Sequence, residues 1–182
     1  VKQITTGEGG AIFTNNNFIY SKTKLLRSHG MIKREGNNIE PWYYSMNELG
    51  YNYRISDINC ALGISQLKKI KIFIKKRREI ANIYNQNLLS DNISLPKENK
   101  MVFHSYHLYP VLINFNKIKL NKKLFFHKMS EKNINLQVHY IPIHLQNFYK
   151  KKYGFKMGDF KISENFYKNE VSLPIYYNLT KK

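Results

Sequence analysis

The clearest pattern in the chain is a helical repeat of apolar residues that begins at RISDINCALGISQLKKI. Ser56 or Asp57 can cap the first turn, where backbone amide groups have no partner within the helix. Apolar side chains then recur at the spacing of an amphipathic helix, at Ile58, Leu62, Leu67, Ile70, Phe73, Ile74, Ile80, Ala81, Tyr84 and Leu88. The pattern predicts one helix of roughly thirty residues, which exceeds the usual globular length and is therefore expected to link two domains.

The residues before this helix predict shorter elements. ITTGEGGAIFTNN combines a glycine-rich turn with β-branched and aromatic residues, which is typical of a β-hairpin. The next stretch, FIYSKTKLLRSHG, predicts a helix that a glycine cap ends at Gly30. Residues 31–49 show no clear period and are predicted to form an irregular loop that carries Trp42.

Beyond the long helix, the polar and proline-containing residues 90–100 interrupt the pattern. The segments HSYHLYPVLI and NLQVHYIPIH predict strands, whereas KKLFFHKMSEKN, YKKKYG and ISENFYKNEV predict helices. This alternation is typical of a small α/β unit. We therefore predict a first domain that ends near residue 56, a linking helix over residues 57–89 and a small α/β domain over residues 90–182.

The charge of the chain raises a nucleic-acid hypothesis, because 30 Lys and Arg against 12 Asp and Glu give a formal net charge of +18. The basic residues are nevertheless spread along the chain, and the densest cluster, KKIKIFIKKRR, alternates with the apolar face of the long helix. The abundance of Asn, Ile and Tyr indicates a genome rich in A and T, which also favours Lys codons. The charge favours anionic ligands, and a solvated helix face explains the densest cluster. We therefore expect no nucleic-acid partner, and a basic nucleic-acid-binding protein is the alternative.

The sequence also shapes expectations about compartment and size. It contains no charged leader followed by an apolar run and no stretch long enough to span a membrane, so we expect a soluble cytoplasmic protein without a membrane partner. The hydrophobic content of 42% over 182 residues is sufficient for one sizeable core. Because the pattern is already under way at the first residue, we expect this to be the C-terminal part of a longer polypeptide.

The histidines do not predict a metal site. His104, His107, His139 and His144 lack cysteine or acidic neighbours at the spacing of zinc ligands. The glycine-rich GEGG lacks the lysine and hydroxyl residue of a phosphate-binding P-loop. We therefore expect no metal, and composition alone does not choose a function.

Five segments together point to a family. VKQITTGEGGAIFTN, LLRSHGM, GYNYRISDINCALGISQL, HSYHLYPV and QVHYIPIHLQNFY resemble, in order and approximate spacing, the C-terminal half of the pyridoxal-phosphate-dependent nucleotide-sugar aminotransferases. The resemblance covers nearly the whole chain. It implies an α/β fold of the aspartate-aminotransferase type (fold type I), in which residues 1–56 end the large cofactor-binding domain and residues 90–182 form the small domain.

The resemblance assigns cofactor roles to two residues. Lys2 matches the lysine that bonds to pyridoxal phosphate and moves the proton at the substrate carbon, as a neutral primary amine can. Asn52 matches the asparagine that reaches the cofactor phosphate of the partner subunit, so the resemblance implies a homodimer. Read from the residues alone, Lys2 is an ordinary surface amine and Asn52 is a turn residue before a helix.

The segment QVHYIPIH supplies the expected substrate residues. Strand alternation would place Gln137 and His139 on one face and Tyr140 on the other, with Pro142 ending regular pairing. The resemblance implies that these three residues bind the nucleotide sugar. The alternative is that His139 and Tyr140 are hydrogen-bonded core residues. Arg27 and His29 belong to the shared pattern but have no assigned role.

Within the family, RSHGM, LGISQLKK and QVHYIPIHLQ are most similar to members that aminate a 4-keto-6-deoxy UDP-sugar, of the UDP-4-keto-6-deoxy-L-AltNAc type, in pseudaminic acid and surface glycan biosynthesis. The resemblance implies glutamate as the amino donor. Amination of a different nucleotide keto-sugar would share every motif, whereas the related dehydratases carry histidine in place of Lys2. Because further cofactor residues lie upstream in the family, residues 1–182 alone are expected to be inactive.

Overall fold

The computed structural model describes residues 2–33 and 39–180, which form two compact units. The N-terminal unit holds residues 4–33 and 39–68. The C-terminal unit holds residues 2–3 together with residues 69–180. Among the described residues, no helix is long and apolar enough to cross a membrane.

The first helix, α1, spans Asn17–Arg27 in the N-terminal unit. The Asn16 side chain caps it by accepting hydrogen bonds from the amides of Phe18 and Ile19, at 2.9 and 3.2 Å. At the other end the amide of Gly30 donates to the carbonyl of Leu25 at 3.0 Å, with Gly30 at a φ of 67°. The predicted helix with its glycine stop is confirmed, since a left-handed backbone is available to glycine at little cost.

Two short strands follow where an irregular loop was expected. β1 (Met31–Lys33) pairs antiparallel with β2 (Tyr44–Met46), with Ile32 opposite Ser45. The prediction of a loop over residues 31–49 is therefore wrong at these strands, and residues 34–38 lie outside the described residues. Three-residue strands are too short to show a period of two in the sequence.

The predicted hairpin over residues 4–16 is also wrong, because none of these described residues belongs to a paired strand. Thr5 Oγ1 accepts a hydrogen bond from the amide of Gly7 at 3.0 Å, and Thr6 Oγ1 donates to the carbonyl of Glu8 at 3.0 Å. Local threonine bonds of this kind engage backbone groups that a strand ladder would otherwise use.

The long helix is confirmed. α2 spans the 31 residues Asp57–Asn87, and Ser56 Oγ accepts from the amide of Asn59 at 3.3 Å at its start. Its first part belongs to the N-terminal unit and its later part to the C-terminal unit.

The C-terminal unit is built on a three-stranded antiparallel sheet. β3 (Ile93–Ser94) pairs with β4 (Tyr109–Ile113), and β4 pairs with β5 (Glu170–Leu173). The later part of α2 packs on this sheet, and the buried core includes Ile80, Ala81, Tyr109, Val111, Ile113 and Val171. The expected small α/β unit is present.

The remaining helices match the predicted segments. α3 spans Lys122–Glu131, α4 spans Asn147–Tyr153 and α5 spans Lys161–Asn169. Asn121 caps α3 by accepting from the amide of Leu124 at 2.7 Å. Gly154 ends α4 in a left-handed conformation with a φ of 72°.

Three boundaries differ from the prediction. The expected strand HSYHLYPVLI is regular only over its last five residues, in β4. The expected strand NLQVHYIPIH makes one bridge, between Gln137 and Ser172, and then turns into a 3-10 helix at Ile143–Leu145. Pro142 precedes that turn and has no amide hydrogen for a ladder. The residues Glu170 and Val171, expected to end a helix, begin β5 instead.

Candidate active site

Lys2 is exposed and meets a histidine far along the chain. Its Nζ lies 3.1 Å from Nε2 of His107, which follows 105 positions later. Beside this contact, Gln3 Nε2 donates to Ser105 Oγ at 2.7 Å. The two hydrogen bonds hold the Lys2 segment against the segment 105–107. Sequence reasoning considered His107 only as a metal ligand, and no local pattern could have paired it with Lys2.

A buried arginine of α2 fixes the backbone beneath His107. Arg77 Nη1 donates to the carbonyls of Tyr106, His107 and Ile175, at 3.1, 3.3 and 2.9 Å. Burial lowers the pKa of the Arg77 guanidinium, which stays charged because its ordinary pKa is so high. Arg77 thereby links three separate parts of the C-terminal unit. These are α2, the loop of residues 104–108 before β4 (the His107 loop) and the segment after β5.

Next to His107 lies a groove of about 880 Å³, within the size range of small-molecule sites. Its apolar wall comes from α2 and from the segment after β5. Polar groups enter it from His107, Gln137 and His139. Other lining residues include Lys76, Ile80, Tyr84, Pro174 and Tyr176. The groove therefore brings two of the expected substrate residues together with the partner of Lys2.

Gln137 and His139 are held by the free edge of β5. The amides and carbonyls of Gln137 and Ser172 exchange two hydrogen bonds, at 3.2 and 2.9 Å. His139 Nδ1 lies 2.7 Å from Ser172 Oγ, and the His139 amide donates to Glu170 Oε2 at 3.0 Å. Sequence reasoning missed Glu170 and Ser172, because a helix was expected at the start of β5.

Tyr140 is placed differently from its two neighbours. Its side chain is 71% exposed and lies outside the described residues that line the groove. Its ring packs edge-on against His139, with ring centres 4.7 Å apart. A substrate role for Tyr140 stays a prediction.

Asn52 lies in the N-terminal unit, where it is exposed and bridges Ser28 just after α1. The flanking amides of Tyr51 and Tyr53 donate to the carbonyls of Leu26 and Arg27, at 2.7 and 2.9 Å. The amide of His29 donates back to Tyr51 at 2.8 Å. Arg27 and His29 therefore supply backbone groups that position Asn52, whose exposed amide can donate to an anionic oxygen.

Two of the other histidines have separate partners. His104 Nδ1 accepts from the amide of Tyr106 at 3.0 Å, and His144 Nε2 lies 2.8 Å from Glu164 Oε1. Within residues 2–33 and 39–180, no group of three His, Cys, Asp or Glu side chains is placed to hold a metal ion.

The chain is similar in sequence to known aminotransferases. The sequence profile of the DegT/DnrJ/EryC1/StrS aminotransferase family matches residues 1–182. A UDP-4-amino-4,6-dideoxy-N-acetyl-beta-L-altrosamine transaminase of Campylobacter jejuni is 42% identical to this chain, over 100% of the chain and 46% of the relative. The chain thus spans about half the length of the curated relatives it matches.

Two solved structures share the fold. PseC of Helicobacter pylori, an aminotransferase involved in the biosynthesis of pseudoaminic acid, gives a TM-score of 0.85 at 35% identity, over 99% of this chain and 47% of that chain. A putative sugar aminotransferase from Streptococcus pneumoniae in its PMP form gives 0.85 at 26% identity, over 100% and 45%. The expected fold class is confirmed: the chain has the α/β fold of part of a fold type I sugar aminotransferase.

Proposed function

Since the chain belongs to the DegT/DnrJ/EryC1/StrS aminotransferase family, we propose that the full-length protein is a pyridoxal-phosphate-dependent nucleotide-sugar aminotransferase. Its proposed substrates are glutamate and a 4-keto-6-deoxy UDP-sugar of the UDP-4-keto-6-deoxy-L-AltNAc type. The observation that carries the proposal is the contact of Lys2 with His107 beside the groove that Gln137 and His139 line. The named relatives support the choice of sugar.

The described residues fit the cofactor. Lys2 is an exposed primary amine, so a carbonyl group can reach its Nζ. When bound, pyridoxal phosphate supplies the electron sink that makes proton removal from an amino-bearing carbon feasible. Lys2 Nζ would take up and return that proton, and His107 Nε2 would accept a hydrogen bond from it in its protonated state.

The other site residues have binding roles in the proposal. Gln137 and His139 would hold the nucleotide sugar in the groove, and Tyr140 would contact it from the exposed side. Asn52 would donate its amide to the cofactor phosphate of the partner subunit, which requires a homodimer. We also propose the cytoplasm as its location, and the division into residues 1–56, 57–89 and 90–182 as its domain plan.

The test is a transamination assay on the full-length protein with pyridoxal phosphate and glutamate. We expect formation of 2-oxoglutarate that depends on the UDP-linked 4-keto-6-deoxy sugar, together with a new amino sugar detected by mass spectrometry. A panel of other nucleotide keto-sugars serves as the matched comparison. Stronger turnover of another sugar would replace the proposed substrate, whereas no transfer to any of them would contradict the proposed activity.

A second measurement tests the homodimer that the proposed role of Asn52 requires. Sedimentation of the full-length protein with cofactor should show a dimer, and a monomer that retains the cofactor would contradict the role of Asn52.

The net charge of +18 is the feature that favours a nucleic-acid-binding protein as the alternative function. In that case binding of duplex DNA or RNA should be tight and fall steeply with salt, and transamination should be absent.

A further inference from the structure

A chain of hydrogen bonds leads from the buried start of β5 to the ring of His139. Glu170 and Ser172 lie two positions apart on β5, so their side chains share one face of the strand. Glu170 is fully buried and Ser172 is 3% exposed. Ser172 Oγ donates to Glu170 Oε1 at 2.6 Å and lies 2.7 Å from His139 Nδ1.

The same carboxylate also holds the backbone of His139. Glu170 Oε2 accepts from the His139 amide at 3.0 Å, so one oxygen of Glu170 holds the His139 backbone directly and the other reaches the His139 ring through Ser172. The ammonium group of Lys122 interacts electrostatically with Glu170 and so offsets part of the cost of its burial. A buried network in which each member has a partner is rigid, and it fixes both the position and the tilt of the ring.

The number of protons decides the state of the ring. Ser172 has a single hydroxyl proton, which it donates to Glu170. Its oxygen must therefore accept in the contact with His139, and the donor can only be the Nδ1 proton of His139. In the neutral ring, Nε2 then carries a lone pair, because the partner of one ring nitrogen sets the state of the other.

We propose that Glu170 and Ser172 are positioning residues that fix His139 in the Nδ1-protonated tautomer, so that Nε2 accepts a hydrogen bond from a hydroxyl group of the sugar in the groove. The identity of the occupant rests on the proposed function, whereas the tautomer rests only on the contacts within the C-terminal unit. An opposite order of protons, with a protonated Glu170 donating to Ser172 and Ser172 donating to Nδ1, would make Nε2 a donor instead.

The tautomer can be measured directly by long-range 1H–15N correlation spectra of the full-length protein labelled with 15N-histidine. The spectra are taken at a pH where the rings are neutral, and a His139→Gln variant identifies the His139 signals. We expect a protonated Nδ1 and an unprotonated Nε2 in the wild-type protein. Protonation at Nε2 instead would overturn the proposal without any need for a further variant, and would leave the proposed activity untouched.

Two variants test the origin of the effect. Ser172→Ala removes the acceptor, so the fixed Nδ1 tautomer should be lost, whereas Ser172→Thr keeps a hydroxyl and should retain it. Ser94→Ala, on strand β3 of the same sheet, is the matched control and should leave the His139 spectrum unchanged. An unchanged tautomer in Ser172→Ala would contradict a positioning role.

The kinetic consequence separates substrate binding from general damage. If Nε2 binds a sugar hydroxyl, Ser172→Ala and Glu170→Gln should raise KM for the nucleotide sugar by about tenfold, which corresponds to one lost hydrogen bond. KM for glutamate should stay unchanged, and Ser172→Thr should recover most of the loss. Equal losses for both substrates would indicate a merely structural role. If no transamination occurs even in the wild type, the proposed function fails while the tautomer measurement still stands.

Discussion

Replacement of Arg77 by methionine should lower the free energy of unfolding by more than replacement of an exposed charged residue does. Arg77 is 3% exposed, and its Nη1 faces the carbonyls of Tyr106, His107 and Ile175 at 2.9 to 3.3 Å. Methionine keeps the unbranched apolar stem, so the change removes the guanidinium with little loss of packing. The effect therefore measures the hydrogen bonds that tie α2 to the His107 loop and to the segment after β5.

The expected magnitude follows from these contacts. A hydrogen bond from a charged donor contributes about 1.5–3 kcal/mol. Nη1 carries two protons for three acceptors, so two bonds of full strength give a gross loss of about 3–6 kcal/mol. The carbonyl of His107 is only partly buried and can recover a bond to water. We therefore expect a loss of about 3 kcal/mol in the free energy of unfolding.

The assay is urea unfolding of the full-length protein, followed by circular dichroism. Lys75→Met is the matched control, because it removes an exposed cation from the same helix and should change stability by less than about 0.5 kcal/mol. The same samples should show a weakened Lys2 to His107 contact as a lowered kcat, because the proposal gives both residues a role in the proton transfer. If Arg77→Met costs no more than Lys75→Met, the inference that Arg77 holds the His107 loop is wrong.

Two further predictions concern pH and backbone geometry. Hydrogen bonds from Arg78 and from a backbone amide lower the pKa of Glu98 from 4.5 to about 2. The stabilising effect of Glu98 is therefore complete above pH 4.5 and disappears as the pH falls towards 2. Glu98→Gln should flatten that part of a profile of the free energy of unfolding against pH. Gly30→Ala would place a Cβ 1.9 Å from the Glu48 carbonyl at a positive φ, whereas Gly154→Ala meets open space at a similar φ. We expect losses of at least about 3 kcal/mol and about 1 kcal/mol respectively by urea unfolding, and equal losses would contradict the clash.

Local signals in the sequence were sufficient for the helices. The repeat from Ile58 to Leu88 predicted α2, since a helix of 31 residues offers many turns in which the period can show. Gly30 predicted the end of α1 because a left-handed cap has few other solutions. These features depend on residues within a turn or two of each other.

The strands depended on more distant partners and were predicted less well. β5 begins with Glu170, a charged residue that local patterns place on a surface but that is fully buried here among hydrogen bonds from Ser172 and His139. Segment 135–144 has the composition of a strand but makes a single bridge. Propensity alone could not show which segments would find a neighbour in the sheet.

In the candidate site too, the sequence predicted individual residues but not the contacts between distant parts of the chain. The family resemblance was enough to single out Lys2, Asn52, Gln137 and His139 as candidates. It did not show that His107 would meet Lys2, because the two residues are 105 positions apart and only the fold joins them. The network of Glu170 and Ser172 behind His139 also became visible only through the pairing of β5 with the Gln137 segment.

The central claim is that Lys2 carries the cofactor, and an absorbance spectrum tests it most directly. The full-length protein is mixed with pyridoxal phosphate and compared with Lys2→Ala and with Lys117→Ala, which removes an exposed lysine of the same unit. We predict a visible band of the lysine-bound cofactor in the wild type and in Lys117→Ala that glutamate abolishes, and no such band in Lys2→Ala. A band that persists in Lys2→Ala, or a wild-type protein without one, would contradict the account.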